Sequence, residues 1–263
     1  MIRRTIATAA LIALPAILAA QSPMRAATMK VSEPVKVTDL DMDKLKGQPS
    51  RLAWSADGSQ LYVQTMEGNF GQPGQKHYHY VVNVADGSRK DAQVEPEWAS
   101  AYWTIKSGQA SPDGGPLKIE LKQEMRKEKT VSSPMGGDLA RGGTTAGTGA
   151  EAAGELQAAY NQMPVPVNTM LLRGTAIGQF VNSVIVPGLT FGWGPKGTKA
   201  IAFADPKNGR VVVLDEKGDK REVAGTKDAI LPAWSEDATR LAWLQKDGKK
   251  KYVLHVARLE PGT

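Results

Sequence analysis

Cysteine is absent from the 263 residues and histidine occurs only three times, as His77, His79 and His255. Without cysteine there is no disulfide, no thiolate nucleophile or ligand, and no N-terminal cysteine to carry a lipid. The chain must be held by its core alone. Three histidines and no thiol leave little material for nucleophilic or metal-assisted catalysis. No Gly-x-Ser-x-Gly elbow occurs, which excludes a serine hydrolase of that type. The run "GGTTAGTG" lacks both the Lys-Ser/Thr ending and the preceding strand of a phosphate loop. No basic helix, heptad or interleaved aromatic stripe points to nucleic acid. No cofactor is expected.

Long apolar runs are also missing, except for one at the start. "MIRRTIATAALIALPAILAAQ" joins Arg3 and Arg4 to an apolar stretch, Ile6 to Ala20, that ends in small residues. This is the pattern of a secretory leader, and it is shorter than the roughly 20 residues that span a bilayer. Cleavage after about residue 20 is expected, leaving a domain over residues 21–263 with no transmembrane helix. Loss of two arginines lowers the formal charge from +6 to +4, too weak an excess for a nucleic-acid footprint. The protein is therefore expected in a periplasm or outside the cell.

What the chain has in quantity is glycine (27) and proline (16), which suits many short strands and tight turns. A phrase recurs. "RLAWSADGSQLYVQT" carries Trp54, "TFGWGPKGTKAIAFA" carries Trp193 and "LPAWSEDATRLAWLQ" carries Trp234. A weaker copy, "SGQASPDGGPLKIEL", has Ala110 at the tryptophan position. The spacings are 56, 83 and 41 residues. The last is the length of one propeller blade, and 83 is about twice it. In each copy an aromatic ends a strand, a Ser/Gly-x-Asp-Gly type turn reverses the chain, and an alternating strand follows. Second hairpins come next, with turns at "ADG" and "EKG". Two hairpins make one four-stranded antiparallel blade.

These phrases resemble the WD40-like Pro-Asp repeats of TolB-type β-propellers. The residues that carry the resemblance are Trp54, Ser55, Asp57 and Gly58; Ser111, Pro112, Asp113 and Gly114; Trp193, Pro195 and Gly197; and Trp234, Ser235 and Asp237. Only the second copy has all four turn residues. Ala56, Lys196 and Ala238 depart from the pattern. The resemblance implies an all-β fold, a small β-propeller of four-stranded antiparallel blades. Five blades are expected, counting one degenerate unit between Ala110 and Trp193; four blades or an open arc are the alternatives. The segment Lys30–Gly47 is expected to complete the last blade.

Residues 130–155 are Gly, Ala, Thr and Ser rich and read as a surface loop or insertion. "GELQAAYNQM", from Gly154, has helical composition. His77 and His79 lie two apart, so a strand puts both on one face. That pair can begin a zinc or copper site; alternatively the histidines face outward and Tyr78 and Tyr80 inward. The acidic pairs Asp41/Asp43 and Glu95/Glu97 read as solvated edges or turns, and "KDGKKKY" as a charged hairpin tip. The function expected is a non-enzymatic scaffold of the envelope that binds another envelope protein or a cell-wall ligand. The alternatives are a periplasmic hydrolase or lyase at the propeller channel, and a metal-binding protein using His77 and His79. Oligomeric state is not legible.

Overall fold

The computed structural model describes residues 23–68, 74–114, 117–126, 164–181 and 190–260. The predicted leader, the Gly-rich segment and the helix expected from Gly154 lie outside the described residues. What is described is an all-β chain of four antiparallel sheets with two short helices.

The first sheet is a meander of β3 (Gln48–Trp54), β4 (Gln60–Glu67), β5 (Lys76–Asn83) and β6 (Arg89–Ala92). The second has β7 (Glu120–Arg126), β8 (Val165–Leu172) and β9 (Thr175–Val181). The third is β10 (Phe191–Trp193), β11 (Ala200–Ala204), β12 (Val211–Asp215) and β13 (Lys220–Glu222). The fourth runs β14 (Ala229–Trp234), β15 (Arg240–Lys246) and β16 (Lys251–Glu260). N-terminal strands complete it: β2 (Val35–Asp41) and β1 (Lys30–Val31) both pair with β16. As expected, Lys30–Gly47 thus ties the start of the chain to its end.

Burial falls along each full meander. β14, β11 and β12 are buried at every position, whereas β13 and most of β6 are exposed. Leading strands are covered on both faces and can be continuously apolar. The trailing strands are short and rich in Lys and Arg, which blunts their open edges. The core follows from this. Leu52, Trp54, Leu61 and Val63 of the first sheet pack with Leu40, Ile230, Leu244 and Leu254 of the fourth. Trp234 and Trp243 pack with Ala202 and Val213 of the third. Met170, Ile177 and Phe180 of the second pack with Phe191, Ile201 and Leu214.

The fifth sheet that the 83-residue spacing suggests is not found among the described residues. Between Ala110 and Trp193 the described residues form one sheet, β7–β9, and residues 127–163, between β7 and β8, lie outside them. The turn phrase belongs to that same sheet, because Ala110 bridges Lys118 and Ile119 N–H donates to the Gln109 carbonyl. Its first strand is reduced to this single bridge.

One element was not anticipated. Residues Glu97–Lys106 form the helix α2, with Ala99, Tyr102 and Lys106 buried. A shorter helix, α1 (Met42–Leu45), is capped by the Asp41 carboxylate, which accepts from Asp43 N–H.

Candidate functional site

The recurring tryptophans form one series. Trp54 Nε1 donates to the Ala233 carbonyl at 2.9 Å, Trp234 Nε1 to the Gly192 carbonyl at 3.0 Å, and Trp193 Nε1 to the Gly108 carbonyl at 2.7 Å. The indoles of Trp54 and Trp234 reach from their own sheet to the leading strand of the next, and that of Trp193 reaches the bend at Gly108, two residues before Ala110. Ala233 and Gly192 stand immediately before Trp234 and Trp193, so the register repeats. Burying an indole requires a partner for its N–H, and this one also fixes how adjacent sheets sit. β10 and β14 come so close that a Cβ on Gly192 would collide with the Pro232 carbonyl. The series ends at the second sheet because Ala110 has no indole to pass on.

The turns behave as their sequences predict. Ser55 Oγ donates to Asp57 Oδ1 at 2.6 Å and receives Gln60 N–H at 2.9 Å, while Asp57 receives Ser59 N–H at 3.0 Å. Ser235, Asp237, Thr239 and Arg240 repeat these bonds. Gly58 has φ 66° and Ala238, its counterpart, takes φ 58°, so alanine there bears a strain that glycine avoids. In the second sheet Ser111 Oγ receives Asp113 N–H at 3.2 Å; Pro112 and Gly114 complete that turn, with Gly114 at φ 69°. The Asp113 carboxylate crosses to the third sheet and accepts Gly197 N–H and Lys199 N–H. There Lys196 occupies the aspartate position, so Asp113 supplies from outside what the third turn lacks. Thr198 N–H closes that turn onto the Pro195 carbonyl at 3.1 Å.

Hydrogen bonding from the Ser55 hydroxyl first, then from the Ser59 backbone and hydroxyl, lowers the Asp57 pKa from 3.8 to about 2. A carboxylate depressed in the folded state stabilises fully above its unfolded pKa, and that contribution disappears as pH falls through the folded one. We therefore expect stability to decline between about pH 4 and pH 2, and the decline to shrink in Asp57→Asn. Acid unfolding of both proteins checks this; identical acid curves would show that the turn carboxylate is not a source of it.

α2 lies where three leading strands meet. It packs on β3 and β10, and the Tyr102 hydroxyl donates to the Trp234 carbonyl, at the end of β14, at 2.8 Å. Tyr102 is buried, and burial raises its pKa well above the ordinary value, so it remains a donor. Lys106, also buried, brings Nζ within 3.7 Å of Glu236 and over the Tyr102 ring. Burial lowers its pKa and Glu236 opposes the shift. Glu95, read from sequence as a solvated edge, instead anchors the approach to the helix. Both its oxygens accept from Arg51 Nη1, at 2.9 and 3.0 Å, and Arg51 stacks over Trp103. The Asp41/Asp43 pair is likewise engaged: Asp41 caps α1, and Asp43 binds Lys250 at 2.7 Å. Lys250 belongs to the lysine cluster, which forms the predicted β15–β16 hairpin tip.

His77 and His79 share a face of β5, as their spacing predicts. His77 is exposed and His79 half-buried. Their surroundings differ, however. His79 Nδ1 lies 2.6 Å from the Tyr62 hydroxyl, which receives Gln64 Nε2–H at 3.1 Å; Ser50 Oγ donates to Gln64 Oε1 at 2.9 Å. The Tyr62 hydroxyl is thus shared between Gln64 and His79. Burial, then Glu95, raises the Tyr62 pKa, and burial lowers that of His79. The Tyr62 ring also meets Trp98 edge-on, with ring centroids 6.2 Å apart. Tyr80, on the opposite face, is buried and donates to the Leu45 carbonyl, while Tyr78 donates to Glu67. One nitrogen of His79 is thus engaged, and no group of three or more His, Cys, Asp or Glu residues able to hold a metal ion occurs among the described residues.

α2 also presents apolar surface. Ile105 is 53% exposed and Val94, just before the helix, 72%. Trp98 and Trp103 are half-buried and pack against the first core cluster. No helix among the described residues is long and apolar enough to cross a membrane.

No protein-family model matches the chain, and no curated protein is similar to it. Among solved structures it is similar to TolB from Acinetobacter baumannii, at 12% identity and a TM-score of 0.25. That similarity covers 82% of this chain and 44% of the other, so the chain corresponds to less than half of that protein.

Proposed function

We propose that this chain is an exported, non-enzymatic scaffold of the cell envelope, a TolB-like propeller of four units that holds a protein partner on its α2 side. The observation that carries this reading is the position of α2. Tyr102 and Lys106 fill the place where three leading strands converge, so the region that would serve a channel enzyme is occupied by buried side chains. The candidates for acid–base chemistry are tied up elsewhere, with Glu95 on Arg51 and His79 on Tyr62. What α2 offers outward is aromatic and aliphatic surface beside an arginine, the composition that concentrates binding energy in protein interfaces. Export rests on the leader-like residues 1–20.

The test is crosslinking in intact envelope, followed by capture and mass spectrometry, for the wild type and for Val94→Asp/Ile105→Asp. Both positions are exposed, so the fold should survive. One reproducible protein partner, lost in the variant, is the expected result. No partner for an abundant folded protein would overturn the scaffold reading, and a partner retained by the variant would remove α2 as its contact.

A further inference from the structure

Three of the four sheets begin with a leading strand paired along the second, over Gln48–Trp54, Phe191–Trp193 and Ala229–Trp234. The sheet of β7, β8 and β9 does not. Its leading strand contributes one bridge, Ala110 to Lys118, and among the described residues nothing pairs with β7 beyond it. Ile119 N–H points across that edge to Gln109. β7 continues without a register shift against β8. Since alternate residues of a strand face the same side, Leu121, Gln123 and Met125 turn their N–H and C=O groups toward an edge that no other described strand covers. Leu121 is 53% and Met125 64% exposed, two of the five large apolar side chains exposed among the described residues.

The sequence of this edge matches itself. β7 reads Glu-Leu-Lys-Gln-Glu-Met-Arg. When two copies are laid antiparallel about Gln123, Glu120 faces Arg126, Leu121 faces Met125, Lys122 faces Glu124 and Gln123 faces Gln123. The charged residues share one face of the strand and the apolar ones the other. Every directly opposite pair is therefore either oppositely charged, apolar with apolar, or amide with amide.

We propose that β7 is a self-association edge: two copies of this chain pair antiparallel through Glu120–Arg126, with the two-fold axis at Gln123. The interface is isologous, as two-fold dimers require. The outward groups of Leu121, Gln123 and Met125 exchange backbone hydrogen bonds with the second copy. Leu121 and Met125 cover each other, and Lys122 and Glu124, paired within one chain at 2.5 Å, each gain an opposite charge across the axis; Glu124 also holds Arg126 of its own chain at 2.7 Å. Opposite charges directly across a strand pair stabilise, and like charges oppose. A single edge pairing is a small interface, so the dimer forms in roughly the micromolar range.

Sedimentation of the purified full chain over a concentration series tests this, together with Lys122→Glu and Glu124→Lys. These side chains are solvent-facing, so the variants should fold. Each variant alone places like charges opposite one another and is expected to weaken the dimer roughly tenfold or more. An equimolar mixture of the two restores complementarity and should recover the dimer. In this cysteine-free chain Gln123→Cys should crosslink to itself on oxidation, whereas Asp219→Cys should not. A wild type that stays monomeric up to about 500 µM, or variants that associate like the wild type, would overturn the proposal.

Discussion

Trp234→Ala should lower stability by about 3–5 kcal/mol, in the range for truncating a fully buried large aromatic. Three consequences meet at this residue. Its ring is lost from the cluster that joins the third and fourth sheets. The Gly192 carbonyl loses the indole N–H. The backbone that receives the Tyr102 hydroxyl is no longer held by a packed side chain. For a chain of this size the melting temperature should fall by roughly 10 °C. Trp234→Phe keeps most of the ring but leaves the carbonyl unsatisfied, so about 1–3 kcal/mol is expected. Thermal unfolding monitored by circular dichroism distinguishes them. If Trp234→Ala cost no more than a truncation at exposed Ile105, the indole series would not be what holds the sheets together.

Tyr102→Ala should be nearly as costly, at about 3–5 kcal/mol, for a different reason. Tyr102 is the buried aromatic of α2, and a ten-residue helix is marginal without tertiary contacts. Removing the ring should release the whole helix from β3 and β10. Tyr102→Phe removes only the hydroxyl and should cost about 1–2 kcal/mol. The readout is amide hydrogen exchange of residues 97–106. In Tyr102→Ala their protection should collapse while that of β14 and β15 persists; in Tyr102→Phe it should weaken only modestly. Unchanged protection of the helix in Tyr102→Ala would mean that Arg51–Glu95 and Lys106–Glu236 suffice to dock it. Loss of helix docking should also remove the proposed partner surface, which links this measurement to the crosslinking experiment.

The turn grammar was legible because it is local. A serine, an aspartate and a residue at positive φ satisfy one another within six positions, and Ser55–Gln60 and Ser235–Arg240 form the same bonds from nearly the same words. The strands were legible for a related reason, since alternation and β-branched runs need only the chain itself. α2 was harder to see. Pro96 ahead of Glu97, and buried positions 99, 102 and 106 at helical spacing, are signals once the helix is known. On their own they compete with a stretch of Trp, Tyr and Thr that suits a strand equally well. The count of units is not read from length alone: four sheets occur among the described residues, and residues 127–163, between β7 and β8, lie outside them.

The sequence by itself determined the all-β class, the turns, the recurrence of the tryptophans and the use of the N-terminal segment beside the last strand. Each depends on periodicity or on contacts between near neighbours. Only the tertiary structure decided what those residues meet. It gave the Asp113 carboxylate to a turn that lacks its own, paired Glu95 with Arg51, engaged His79 with Tyr62, and set α2 against Trp234. It also reduced the leading strand beside β7, among the described residues, to the single bridge from Ala110 to Lys118. These outcomes rest on groups far apart in the chain, where hydrogen-bond satisfaction and close packing select among partners that no local pattern names.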